Sequence, residues 1–139
     1  MAVTGEIDHI EVFGTDYPTP DGTCIRDYIH VEDLADAHAR ALDHLAAGGA
    51  SLQCNLGTGV GVSVKQIIAA SEEITGKPVP VTFGPRRAGD PPMLVADPTL
   101  AKSLLGWEAT RKDIRDMLRP AWLWIDGPLH GHYPGKKSS

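Results

Sequence analysis

The sequence predicts an α/β fold, a small mixed sheet with helices. Short runs rich in apolar residues at positions 9–13, 51–56 and 79–83 indicate strands. Longer stretches between and after them carry apolar residues at helical spacing. Strands that alternate with helices are typical of α/β domains, and 139 residues form at most one domain.

The first half of the chain is predicted to hold a strand, a long loop and a helix. After the strand at 9–13, turn-forming residues fill 14–27 and predict a loop. Residues 28–31 are predicted as a short strand and 32–47 as a helix that ends at a glycine pair. The helix is expected to bury one apolar stripe, formed by Leu34, Ala37, Ala41, Leu42 and Leu45.

The second half of the chain is also predicted to alternate strands with helices. A glycine-rich loop at 57–62 separates the strand at 51–56 from a helix at 63–75, for which Ser63 and Gln66 form a capping box and Gly76 ends the helix. After the strand at 79–83 and a loop at 84–92, Asp97 is predicted to cap a short helix with Pro98 at its first position. A last helix at 112–125, kinked at Pro120, is expected to bury Ile114, Met117, Leu118, Trp122 and Ile125.

Composition narrows the functional class. The formal charge of −5 and the pI near 5.6 argue against a nucleic-acid partner, which would require a basic face. No apolar run approaches the roughly 20 residues that span a bilayer, so no membrane partner is expected. Cys24 and Cys54 lack metal-site spacing, and no secretory signal is visible. A cytoplasmic location with reduced thiols follows as the expectation.

The glycine loop resembles a phosphate cradle without completing one. Gly57, Gly59 and Gly61 lie between a predicted strand and helix, but Val62 occupies the place of the third glycine in a dinucleotide fingerprint. A structural turn is the better interpretation, since glycine permits positive φ. No cofactor-binding residue is therefore predicted in this chain.

Neither catalytic nor metal-binding residues are predicted. Tyr133 and Lys137 have the spacing of a Y-x-x-x-K dyad, but a proline and a glycine between them disfavour the helix that the dyad needs. His130 and His132 have no carboxylate or thiol placed to complete a metal site, and they are interpreted as part of a solvated tail.

Arginines are the more informative residues of this acidic chain. Arg26 lies at a boundary between loop and strand, and Arg86 and Arg87 precede Asp90 in a loop. The planar guanidinium suits bidentate contacts with phosphate oxygens, and a carboxylate can accept hydrogen bonds from sugar hydroxyls. By composition alone, surface arginines in ion pairs are the favoured interpretation of the pattern.

A family resemblance favours the phosphate interpretation. The segment IRDYIHVEDLADAHARAL resembles the R-D-Y-I-H-V-x-D-L-A segment of extended short-chain dehydrogenases that act on nucleotide sugars. The preceding VFGTDYPTPDGT resembles the version found in UDP-glucose 4-epimerases. The stretches CNLGTGVGVSV and PRRAGDPP, the LGW at 105–107, the W-x-W and the closing YP also fit that family, in the right order and over residues 10–134.

The resemblance implies a UDP-sugar site built from seven residues. The residue matching Phe13 lies at the uracil, those matching Arg26 and Arg87 hold the diphosphate, and the one matching Asp90 bonds the ribose. Those matching Tyr28 and Val64 line the nucleotide site. Leu94 stands where some members carry a tyrosine that limits the sugar pocket, and Cys54 replaces a tyrosine often present in the family.

The implied function is the UDP-sugar-binding C-terminal part of a UDP-glucose 4-epimerase, at residues 1–134, followed by a flexible tail at 135–139. The NAD-binding Rossmann half and the catalytic dyad of the family precede this part, so the chain alone is expected to bind no NAD and to be inactive. The complete enzyme is expected to be a homodimer. The chain would then be a fragment, the product of an alternative start, or one piece of a split gene.

Two other interpretations remain open from the sequence. The chain could be a UDP-sugar-binding module or a subunit completed by another chain. It could also belong to a nucleotide-sugar decarboxylase or dehydratase of the same superfamily, although the Y-P-T-x-D-G-T loop favours the epimerase.

Overall fold

Short strands and helices alternate through residues 2–126, the part of the chain that the computed structural model describes. The predicted α/β fold is confirmed. After a 3-10 helix at Ala2–Thr4, the order is β1 (Ile10–Phe13), β2 (Ile25–Asp27), α1 (Val31–Ala46), β3 (Gly61–Ser63), α2 (Val64–Thr75), β4 (Val81–Gly84), β5 (Met93–Leu94), α3 (Thr99–Leu105) and α4 (Ile114–Asp126).

The strands form two small sheets. In one, β1 and β4 run parallel, so that Phe13 pairs with Gly84 at the carboxyl ends of both strands. In the other, β2 is central, antiparallel to β3 and parallel to β5. The second sheet is mixed, as predicted. Of the predicted site residues, Phe13, Arg26 and Leu94 lie in strands, and Arg87 and Asp90 lie in the loop between β4 and β5.

The helices follow the sequence signals closely. Ser63 and Gln66 form the predicted capping box at the start of α2, and Gly76 ends that helix with φ +66°. The helix α3 begins at Thr99, one residue later than predicted, but the Asp97 carboxylate still accepts the Thr99 N–H at 3.0 Å. In α4, Ile114 is buried, and the other four residues of the predicted stripe are half-buried.

Two predicted strands are wrong. Residues 28–31 form no strand, because the ladder lies earlier, at β2, and because His30 already caps α1 with its Nδ1 accepting the Glu32 N–H at 3.1 Å. Residues 51–56 form no strand either. Their side chains alternate between half-buried and exposed, as in a strand, but no strand of the described residues pairs with them.

The predicted buried stripe of α1 needs a correction. Ala37 is buried and Leu34 and Ala41 are half-buried, but Leu42 is 68% exposed and Leu45 is 51% exposed. The inward face of this helix instead follows a partly polar row that includes buried Asp33. A helix in which charge is buried does not show its inward face through apolar spacing alone.

The core is centred on Trp107. This ring is fully buried together with Ala37, Ala101 and Ala109, and Cys54, Leu56, Ile29 and Leu105 pack against the cluster. The indole N–H donates to the Asp33 carbonyl at 2.9 Å, which satisfies the one polar atom of the side chain. The Asp33 carboxylate accepts Thr110 Oγ1 at 2.7 Å and the Arg111 N–H at 3.0 Å. The N-terminus of α1 is thereby fixed to the loop before α4.

Candidate functional site

Two loops meet at the carboxyl ends of β1 and β4. We name them the β1 loop, residues 14–24, and the β4 loop, residues 85–92. Because the strands are parallel and paired, both loops leave the sheet at the same edge. The Gly14 N–H donates to the Gly84 carbonyl at 3.0 Å, so the strand pairing extends to the point where the loops diverge.

Arg87 lies over the ring of Phe13. Its guanidinium carbon is 3.8 Å from the ring centroid, a cation–π distance. Among residues 2–126, the Arg87 guanidinium has no hydrogen-bond or ion-pair partner. Its N–H donors are therefore available to an anion, while the ring fixes the position of the side chain.

Arg26 is held by the end of the β4 loop. One terminal nitrogen donates to Asp90 Oδ1 at 2.6 Å, and the other donates to the carbonyls of Ile25 and Pro91 at 2.8 and 3.0 Å. The Cys24 thiol lies 3.9 Å from the second oxygen of the Asp90 carboxylate. Both partners of the ion pair are partly exposed, at 22% and 32% of their side chains, so a ligand in solvent can reach them.

Asp21 shapes the β1 loop and joins it to α2. Its carboxylate accepts hydrogen bonds from the Thr23 N–H at 2.9 Å, from Thr23 Oγ1 at 2.7 Å, and from Ser63 Oγ. Burial opposes ionisation, but the hydrogen bonds from Ser63 and Thr23 outweigh it and lower the pKa of Asp21 below 3.8. The Val64 N–H donates to the Cys24 carbonyl at 3.1 Å, so the first residue of α2 is fixed against the loop.

Asp27 holds the glycine loop in place. Its Oδ1 accepts the N–H and hydroxyl of Thr58 at 2.9 and 2.6 Å, and its Oδ2 accepts the N–H groups of Gly59 and Ala96 at 3.0 and 3.2 Å. Gly59 has φ +72°, and a Cβ on Gly57 would lie 2.6 Å from Asp27 Oδ2. The glycines thus serve a tight turn around a carboxylate. The amides that a phosphate would need already donate to Asp27.

Leu94 lies in β5, and Tyr28 directly follows β2. Leu94 pairs with Arg26 across the β2–β5 ladder, is 53% exposed, and borders an open cavity of about 740 Å³ that Asp27 and Asn55 also line. Tyr28 is half-buried, and burial raises the pKa of its hydroxyl although the nearby Arg26 charge opposes that rise.

The structure connects the predicted site residues through direct contacts and shared strands. Arg87 contacts Phe13, Arg26 contacts Asp90 and pairs with Leu94, and Val64 is bonded to the residue two before Arg26. The prediction missed Asp21 and Asp27, which organise the loops around these residues. The sequence does contain a signal for Asp21, since an Asp-Gly pair favours a turn in which the carboxylate bonds the backbone two residues on.

The remaining features considered from the sequence are the C-terminal residues, a metal site and a membrane-spanning helix. Tyr133, Lys137, His130, His132 and the tail at 135–139 lie outside the described residues. Within residues 2–126, no group of three or more His, Cys, Asp or Glu side chains is placed to hold a metal ion. None of the helices in that range combines the length and apolar character that crossing a bilayer requires.

Comparisons with known proteins identify a consistent set of relatives. The model of the NAD dependent epimerase/dehydratase family matches residues 2–57. A UDP-glucose 4-epimerase from Azospirillum brasilense is 50% identical over 124 residues, which cover 89% of this chain and 36% of that protein. This chain therefore spans little more than a third of the length of that relative and matches its C-terminal part.

Solved structures of UDP-glucose 4-epimerases also match this chain over part of their length. The crystal structure of a Stenotrophomonas maltophila UDP-glucose 4-epimerase with bound NAD and formylated UDP-arabinopyranose superposes with a TM-score of 0.84 at 48% identity, over 90% of this chain and 37% of that one. The UDP-Glc/GlcNAc 4-epimerase of Campylobacter jejuni superposes with a TM-score of 0.79 at 39% identity, over 90% of this chain and 38% of that one.

Proposed function

The chain belongs to the UDP-glucose 4-epimerase family, whose C-terminal part it matches, and from this premise we propose that it forms the UDP-sugar-binding part of such an enzyme. The complete enzyme would interconvert UDP-glucose and UDP-galactose in galactose metabolism. It would act in the cytoplasm as a homodimer. Residues 1–134 would form the binding part.

The observation that carries the proposal is that the β4 loop contacts both sheets, with Arg87 against Phe13 and Asp90 paired with Arg26. These residues come from two strands and the β4 loop, which are distant in sequence, and they combine an aromatic ring, two guanidinium groups and a carboxylate. An aromatic face suits a uracil, and guanidinium groups suit a diphosphate. The Asp90 carboxylate can accept hydrogen bonds from ribose hydroxyls.

Ligand binding would exchange contacts that the chain now makes with itself. Arg87 covers the ring of Phe13, and Arg26 is bonded to Asp90. A diphosphate offers Arg87 charge-assisted hydrogen bonds in addition to what the ring provides, and it offers Arg26 anionic oxygens in place of the Asp90 carboxylate. We propose that Arg87 turns from the ring toward the diphosphate and leaves the ring to the uracil, while Tyr28 and Val64 line the nucleotide and Leu94 faces the sugar.

The NAD of the family does not fit the residues described here. The glycine loop is the one candidate for a dinucleotide, and its Thr58 and Gly59 amides donate to Asp27 instead. We therefore propose that NAD, which would accept and return the hydride, and the catalytic base belong to the N-terminal half of the longer enzyme. This chain would anchor the UDP moiety while the sugar changes orientation, and it would be inactive by itself.

The alternatives open from the sequence are not equally supported. The named relatives and structures reported above are UDP-glucose 4-epimerases, which favours that activity over a decarboxylase or dehydratase. Completion by a separate chain would give the same site and the same binding chemistry, so it differs from the main proposal in gene organisation alone.

A calorimetric titration tests the binding proposal. We expect the purified chain to bind UDP and to bind ADP more weakly, because the diphosphate contacts are shared while the base contacts are not. Incubation with NAD and UDP-galactose should yield no UDP-glucose. Equal affinity for UDP and ADP would remove the uracil site from the proposal, and measurable epimerisation would show that the catalytic groups lie within this chain.

A further inference from the structure

Within residues 2–126, the hydrogen bonds and the ring contact of the Arg86 side chain are all made with the β1 loop, although Arg86 neighbours Arg87. Its Nε donates to Asp16 Oδ1 at 2.7 Å, and a terminal nitrogen donates to the Asp16 carbonyl oxygen. Its guanidinium carbon also lies 4.4 Å from the centroid of the Tyr17 ring. The two adjacent arginines thus contact different aromatic rings, those of Phe13 and Tyr17, and within the described residues only the Arg86 guanidinium is hydrogen-bonded.

The platform under Arg86 is fixed. Tyr17 is 5% exposed, and its N–H donates to the Gly22 carbonyl at 3.0 Å. A Cβ added to Gly14, which has φ +81°, would lie 2.4 Å from Tyr17 Cε2 and 2.8 Å from Arg86 Cγ. Glycine at position 14 therefore permits both the turn and the close packing of the ring with the arginine.

The β4 loop is attached to the rest of the chain at two points. Of its proposed ligand-binding residues, Arg87 lies between these points and Asp90 lies at the second. Arg86 attaches its beginning to Asp16, and the ion pair with Arg26 attaches Asp90 near its end. The Asp90 N–H donates to the Arg87 carbonyl at 3.2 Å, so a single turn connects the two residues. Without Arg86, nothing in the described residues bonds the beginning of the loop to Asp16.

We propose that Arg86 is a positioning residue for the UDP site, which clamps the β4 loop onto Asp16 and Tyr17 so that Arg87 and Asp90 face the diphosphate and ribose. The inference rests on the proposed function. The clamp acts by ordering the loop before the ligand arrives, which reduces the entropy lost on binding. Arg86 itself does not contact the ligand in this arrangement.

A direct role for Arg86 is the competing explanation, and Asp16 separates the two. If Arg86 were a phosphate ligand, removal of the Asp16 carboxylate would free its guanidinium and strengthen UDP binding. If Arg86 is a clamp, removal of Asp16 weakens binding even though the chain loses a negative charge that repels the ligand. The sign of the change therefore discriminates between the two roles.

The experiment compares Asp16→Ala, Arg86→Ala and the control Asp36→Ala by calorimetry with UDP and with uridine. The control removes another exposed ion pair, that of Asp36 with Arg40 on α1. We expect both clamp variants to bind UDP about fivefold more weakly, the scale of one surface ion pair. Uridine affinity and the control should be unchanged.

Limited trypsin digestion provides a second measurement that does not depend on the ligand. Cleavage of the Arg87–Ala88 bond should be faster in both clamp variants than in the parent and the control, at similar melting temperatures. Unchanged cleavage, or UDP affinity in Asp16→Ala equal to or above that of the parent, overturns the clamp and leaves the proposed function intact. A parent chain that binds no UDP overturns the proposed function and the clamp together.

Discussion

Arg87 and Phe13 are in cation–π contact, with the guanidinium carbon 3.8 Å from the ring centroid, and the contact joins the loop after β4 to the last residue of β1. The arrangement depends on the parallel pairing of these strands, which brings both carboxyl ends to one edge. A cation and an aromatic ring are thus placed together at the carboxyl ends of these strands. Residues around this edge are expected to bind UDP, to select the sugar or to support the fold.

Leu94 is predicted to widen the sugar specificity of the complete enzyme. Leucine is smaller than the tyrosine that some family members carry at this position, and the adjacent cavity of about 740 Å³ is open. We expect a fusion of this chain with the N-terminal part of its Azospirillum relative to use UDP-N-acetylglucosamine as well as UDP-glucose. In Leu94→Tyr, kcat/KM for UDP-N-acetylglucosamine divided by kcat/KM for UDP-glucose should fall by about 10- to 100-fold, the range for discrimination by pocket size.

The same ratio in the parent fusion and in Leu94→Tyr would show that residue 94 is not the gate. The Campylobacter jejuni structure is that of a UDP-Glc/GlcNAc 4-epimerase, so a fold of this kind accommodates both sugars in at least one relative.

Trp107 is predicted to be the largest single contributor to the stability of the core. It is fully buried, and its indole N–H is bonded to the Asp33 carbonyl. Replacement of Trp107 by alanine should lower the free energy of unfolding by about 3–5 kcal/mol through lost transfer energy and a cavity. The matched control is Trp124→Ala, at a residue that is 53% exposed, and it should cost far less. Equal losses in urea denaturation would contradict the assignment of the core.

Asp33 is predicted to contribute to acid sensitivity. Burial of Asp33 raises its pKa, but hydrogen bonds from Thr110 and Arg111 outweigh burial and bring the pKa below 3.8. A carboxyl whose folded pKa is depressed stabilises the fold above its unfolded pKa, and the contribution is lost as the pH falls through the folded value. Stability should therefore decline below about pH 4.

The variant Asp33→Asn cannot lose a charge on acidification, so its free energy of unfolding should fall less steeply below that pH. Urea denaturation from pH 2.5 to 7 measures the slope, with the exposed Asp36→Asn as the control. Identical slopes in the parent and in Asp33→Asn would contradict the role of this carboxylate.

Local signals predicted the helices well, because caps and periodicity lie within each segment. The capping box of Ser63 and Gln66 and the αL glycine at 76 are complete within α2. Strands depend on distant partners instead. Residues 51–56 have the alternation of a strand without a partner in the described chain, while β3 and β5 consist of three and two residues that become strands by pairing with β2.

The sequence offered candidates for the site but did not show which residues support them. Family resemblance indicated Phe13, Arg26, Arg87 and Asp90, and the structure brings them together in two contacting pairs. The carboxylates of Asp21 and Asp27 bind backbone amides brought near by the fold, and a sequence does not show which amides those are. Likewise, the different roles of Arg86 and Arg87 depend on which side of the loop each occupies.

The affinity of Arg87→Ala for UDP tests the central claim most directly. Loss of a charge-assisted contact costs about 1.5–3 kcal/mol, so calorimetry should show UDP binding at least roughly tenfold weaker than in the parent chain. Uridine affinity should stay within twofold, on the order of calorimetric error, and the exposed Arg119→Ala on α4 should bind UDP as the parent does. UDP binding in Arg87→Ala that equals the parent's would remove Arg87 from the diphosphate site and contradict the account.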